Sequence, residues 1–85
     1  MGYLQGFDDC ESAEEAVREL REARGKFGPF KNEHEGYAVL LEEVDELWDE
    51  IKKNQAKRNR GAIRREAIQV AAMALRFVED LCRVA

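Results

Sequence analysis

Between positions 42 and 50 the chain carries Glu42, Glu43, Glu46 and Glu50. On a helix, Glu43, Glu46 and Glu50 fall within an arc of ~60° beside an apolar stripe. Like charges three and four residues apart repel by about 0.2–0.5 kcal/mol per pair. At a buried edge the cost rises, because desolvation disfavours the charged form. A bound divalent cation removes both penalties. Magnesium suits such a site, with manganese as its substitute, since it takes carboxylate oxygens and keeps several waters. A further acid, Glu66, is flanked by Ala62, Ile63, Ala67 and Val70. A carboxylate that close to an apolar stripe needs a partner, and facing helices of a bundle commonly build metal sites in this way. The plainer reading of the same residues is a solvated acidic face, with Glu66 paired to an arginine.

Positive charge gathers just beyond, in Lys52, Lys53, Lys57, Arg58, Arg60, Arg64 and Arg65. Several of these fall at the start of a third helical pattern, where the helix dipole disfavours cations. An anionic ligand such as a triphosphate reverses that cost, which makes Lys52, Lys53, Arg64 and Arg65 candidate phosphate ligands. A solvated loop, or pairing with the acids of the preceding helix, explains them equally simply. His34 is the single histidine. With Phe30 it lies close enough to the acidic helix to touch a nucleobase. Phe27 is a further stacking candidate, and Trp48 falls within the apolar stripe and is expected in the core.

These residues need helices to position them, and the chain supplies three. Ala13, Ala16, Val17 and Leu20 mark the first, over residues about 12–24, with Ser12 and Glu15 spaced as a capping box and Gly25 placed as a stop. The second, over 33–54, opens on Asn32 and Glu35, again a capping box, and carries Tyr37, Leu40, Leu41, Val44, Leu47, Trp48 and Ile51 at helical spacing. The third, over 62–82, has one apolar strip at Ile63, Ala67, Val70, Ala74, Phe77 and Leu81 and another at Ile68, Ala72 and Leu75. A helix apolar on two sides must be covered on two sides. Two short helices hardly suffice, so a partner subunit is expected on the third.

Eighty-five residues make one domain with a thin core, in want of a supplement such as a metal or a partner subunit. The expectation is an all-α, three-helix domain that forms a helical bundle with partner subunits as a dimer or tetramer. Cys10 and Cys82 match neither a zinc spacing nor a redox pair, and free thiols in a reducing compartment are expected. A net charge of -4 argues against a general nucleic-acid binder. The start of the chain lacks the pattern of a signal peptide, and no apolar run approaches a membrane span. A cytoplasmic protein is the corresponding expectation.

The segments HEGYAVLLEEVDELWDEIKK and REAIQVAAMALRF together resemble the MazG-like family of all-α nucleotide pyrophosphatases. That family carries E-E-x-x-E on one helix and E-x-x-D on the next. Glu42, Glu43 and Glu46 match the first half; Glu66 matches the second, which ends in Gln69 instead of the aspartate. The likeness covers about residues 32–77. It implies hydrolysis of a nucleoside triphosphate to a monophosphate and pyrophosphate, with Glu43, Glu46, Glu66 and Gln69 around magnesium and Glu42 or Glu46 as general base. It also implies a fourth helix, whose surface a partner subunit would supply unless the chain is a reduced or inactive relative. Asp80 cannot stand in for the missing acid, lying about 21 Å along the helix from Glu66.

Overall fold

The computed structural model describes residues 10–83, and these form three α-helices and one short 3-10 turn. Helix α1 spans Glu11–Phe27, α2 spans Glu33–Ile51, the turn spans Gln55–Lys57, and α3 spans Arg60–Leu81. The all-α expectation holds. The stretch searched for a leader includes residues 1–9, which lie outside the described residues. Among the described residues no helix is long and apolar enough to cross a membrane.

Local chemistry explains the boundaries, including those the sequence misplaced. The Ser12–Glu15 capping box does not form. Helix α1 starts at Glu11 after Cys10, which makes no side-chain cap, and Glu15 is taken up by Arg64 of α3. Glu11 and Glu14 in the first turn complement the helix dipole instead. The stop is Gly28, not Gly25. Its φ of 74° suits a residue without a side chain, and its N–H donates to the Arg24 carbonyl. The cap of α2 forms as expected, with Asn32 Oδ1 accepting from the Glu35 N–H at 2.9 Å. Helix α2 ends at Ile51, before the expected Asn54, whose side chain caps the 3-10 turn by accepting from the Ala56 N–H. Asn59 caps α3 by accepting from the Ala62 N–H, so this helix begins two residues early.

Helix α3 is the central element. Glu15 meets Arg64, Glu19 meets Gln69 and Arg24 meets Asp80, so α1 runs parallel to α3. Gly36 meets Phe77 and Leu81 while Glu43 lies beside Glu66, so α2 runs antiparallel to it. Helices α1 and α2 flank α3 without packing on each other. The closest approach is at buried Gly36, where a Cβ would stand 2.6 Å from Phe77 Cδ2. Because α1 is parallel to α3, Cys10 and Cys82 lie toward opposite ends of the molecule, roughly 25 Å or more apart along the axis. Both are free thiols, and that separation excludes a disulfide between Cys10 and Cys82 of one chain.

The core gathers Ala16 and Leu20 of α1, Phe30 of the α1–α2 loop, and Ala72 and Met73 of α3, with Ile68, Phe77 and Leu81 of α3 packed against them. Beside it lies a charged lock. Arg76 is only 4% exposed. Its guanidinium sits 3.9 Å from the centre of the Phe30 ring and donates to the Gly28 carbonyl at 2.8 Å. Buried Asp80 accepts from Arg24 at 2.7 Å and from the Phe30 N–H at 3.0 Å. The lock ties α1, the loop and α3 together at one end.

One expectation about packing needs correction. Trp48 is not in the core: it is 56% exposed, and Tyr37, Leu41 and Val44 stand out with it. The apolar stripe of α2 is wider than the face α3 covers, because α2 has a helical neighbour on one side only. Both apolar strips of α3 find part of their cover within the chain, with Ala67 of one and Leu75 of the other exposed. Ile68 and Ala72 join the α1 cluster, and Phe77 and Leu81 receive α2 at Gly36. The excess apolar surface lies on α2, with smaller contributions from Leu75 and Val78.

Candidate metal centre and adjoining cleft

The antiparallel α2–α3 register brings three acids together. One carboxylate oxygen each from Glu43, Glu46 and Glu66 lies within 4.8 Å of the others, the one such group of possible metal ligands among the described residues. Glu43 and Glu46 lie three apart on α2, and Glu66 reaches them from α3. Glu43 and Glu66 are half-buried and Glu46 is exposed. Burial pushes the Glu43 carboxyl up to about 7, helped by the negative charge and hydrogen bonding of Glu46 and by the charges of Glu66 and Glu42. Glu66 is raised for the same reasons, burial first and then Glu46, with Arg65 opposing.

The donor set fits a hard divalent cation. Oxygens on one magnesium lie about 3–4.2 Å apart, so a group spread over up to 4.8 Å needs only a small closure. Three carboxylates leave the remaining positions to water or a ligand, as magnesium prefers. A cation would also reverse the electrostatic cause of the raised pKa values.

The remaining site residues are distributed as follows. Glu42 lies outside the triad but lines the neighbouring cleft with Glu43. Glu50 is held at both oxygens by Lys53, at 3.0 and 3.1 Å. Lys52 pairs with Asp49 at 3.0 Å. Arg64 makes a two-pronged pair with Glu15 at 2.7 and 3.0 Å, which holds the Glu15 carboxyl below its usual range. Three of the four candidate phosphate ligands thus already have acidic partners, and Arg65 beside Glu66 is the exception. Gln69 turns its amide nitrogen toward Glu19 of α1 at 2.8 Å.

A cleft of about 490 Å3 opens between α1 and α2 over α3. Phe27, Phe30 and Lys31 stand at one end, Met73 and Arg76 belong to its α3 wall, and Glu43 and Gln69 continue toward the triad. Phe30 is not the open stacking surface expected, being buried with Arg76 against its ring. Phe27 is the exposed aromatic. His34 is exposed in the first turn of α2 and does not line the cleft. Sequence reasoning missed Glu19, Lys31 and Arg76. Lys31 had a signal in its position beside Phe30, whereas Glu19 and Arg76 enter only through the parallel register of α1 and α3.

No protein-family model matches the chain, and no curated protein or solved structure matches it either.

Proposed function

We propose that this chain is a MazG-like, magnesium-dependent nucleoside triphosphate pyrophosphohydrolase module, releasing a nucleoside monophosphate and pyrophosphate. One observation carries the reading: Glu43, Glu46 and Glu66, which occupy the acidic positions of the E-E-x-x-E and E-x-x-Q segments, converge from two helices within 4.8 Å. In this reading the three carboxylates hold magnesium or manganese. The cation supplies activation of water and neutralisation of phosphoryl oxygens. Glu42, exposed on the cleft side of the triad, accepts the proton of the attacking water as general base, with Glu46 as the other candidate. Arg65, beside Glu66, takes over the phosphate contacts for which Lys52, Lys53 and Arg64 are already engaged. The cleft receives the nucleoside, with Phe27 at its mouth. The water oxygen bonds to the α-phosphorus, the P–O bond to the α–β bridging oxygen breaks, and pyrophosphate leaves with that electron pair while the base holds the proton.

The same reading includes a homo-oligomer in the cytoplasm. Tyr37, Leu41, Val44 and Trp48 are exposed together on α2 at spacings of four, three and four residues, the pattern of a helix–helix seam. A second copy covering this stripe supplies the missing cover. A non-catalytic oligomeric or ligand-binding module on the same helices is the rival, favoured by Gln69, which brings no charge and is bonded to Glu19.

A panel of nucleoside triphosphates, assayed for pyrophosphate with and without magnesium, decides between them. Turnover should require the ion, and Glu43→Gln and Glu46→Gln should abolish it with the helical fold retained. Full turnover by both variants would mean that the catalytic assignment is wrong. Absence of turnover, together with a nucleotide that still raises the melting temperature, selects the binding module.

A further inference from the structure

A second hollow of about 390 Å3, separate from the cleft, lies against α1 and α3 and is lined by Glu15, Glu19 and Arg65 among others. Gln69 belongs to the walls of both hollows. Its side chain is not free to choose which end it presents. A carboxylate only accepts hydrogen bonds, so Glu19 at 2.8 Å selects the amide nitrogen. The Gln69 carbonyl oxygen is left without a donor among the described residues and is not sealed from solvent. A glutamine amide carries two N–H donors and one carbonyl acceptor; Glu19 takes one N–H and thereby fixes which way the carbonyl oxygen points.

We infer that Gln69 is a specificity-determining residue of the cleft, whose carbonyl oxygen accepts a hydrogen bond from an N–H or O–H group of the bound nucleotide, and that Glu19 is the positioning residue that fixes its polarity. The inference rests on the nucleotide reading of the cleft. Two parts of a nucleotide carry such a donor, a sugar hydroxyl and an exocyclic base amine. Both are met by the same chemistry, an oriented carbonyl on a residue that lines both hollows. Glu19 does not need to touch the ligand. It acts by excluding the flipped amide, which would present N–H groups and favour an acceptor at the same place.

Calorimetric binding of triphosphates with a non-hydrolysable α–β linkage to the full chain, in manganese, tests this. The sugar arm compares ribonucleotides with their 2′-deoxy and 3′-deoxy forms. The base arm compares guanine with hypoxanthine and adenine with purine. The wild-type chain should lose roughly two- to tenfold in affinity for the analogue lacking the read donor, the worth of one neutral hydrogen bond. Gln69→Leu should bind both members of that pair alike. Glu19→Gln, whose amide can donate as well as accept, should narrow the preference while leaving binding of the donor-free analogue unchanged. A merely structural Glu19 would weaken both analogues by the same factor, and that result overturns its positioning role. Wild-type binding with no preference in either arm, or a preference that survives Gln69→Leu, overturns the inference alone. No nucleotide binding at all overturns it together with the nucleotide reading.

Discussion

Replacing Glu43 with glutamine keeps the size of the side chain and removes one of three crowded charges. In the wild-type chain the Glu43 carboxyl is pushed up to about 7 from 4.5. A group whose pKa is higher in the folded state binds more protons there than in the unfolded chain. Stability is therefore fully present below about pH 4.5 and falls as pH rises through about 7. Undiscounted, the shift amounts to about 3 kcal/mol. Glu43 is only half-buried, and solvent screening reduces that to about 1 kcal/mol. In chelator, Glu43→Gln should match the wild-type near pH 4.5 and exceed it by about 1 kcal/mol above pH 7. For a domain of this size that is about 4–8 °C in melting temperature. Magnesium should invert the order. At 100 times its dissociation constant a ligand of the folded state adds about 2.7 kcal/mol, and the variant, with two carboxylates left, should gain far less. Thermal melts from pH 5.5 to 8 in both buffers read the two effects separately. A variant no more stable than wild-type in chelator at any pH would refute the electrostatic reasoning, while failure of magnesium to reorder the pair would refute the cation site alone.

Other substitutions probe the packing. Gly36→Ala should destabilise by up to about 2 kcal/mol in denaturant titrations: overpacking against Phe77 at 2.6 Å costs about 1–3 kcal/mol, and the better helix propensity of alanine returns about 1 kcal/mol. Asp80→Asn removes the charge that pairs with Arg24 and faces buried Arg76, and should cost about 3–5 kcal/mol, seen as a large drop in the denaturation midpoint. Leu41→Glu combined with Trp48→Glu should leave the helical signal unchanged and convert the proposed oligomer to monomer in light scattering; a wild-type monomer, or an unchanged mass in the variant, would overturn this interface. Gln69→Asp takes away the donor to Glu19 and sets a like charge beside it, so its melting temperature in chelator should fall, with recovery in magnesium only if residue 69 reaches the ion.

Periodicity and capping chemistry made much of this protein legible from its sequence. Three helices follow from apolar residues recurring at helical spacing, and Asn32 announced the start of α2 because its side chain satisfies an otherwise orphan amide. The acidic triad was legible too: Glu43 and Glu46 share a helical arc, and Glu66 sits at an apolar edge where a carboxylate needs company. Tertiary structure decided the rest. Ser12 has the right spacing for a cap, but the pull of Arg64 on Glu15 is a contact across 49 residues. Trp48 has the right period for a core, but a period records only which residues share a face, not whether another helix arrives to cover it. The parallel register of α1 against α3 set Glu19 beside Gln69 and Arg24 beside Asp80. Local spacing carries no information about that register, because it is fixed by which side chains from distant segments pack and pair best.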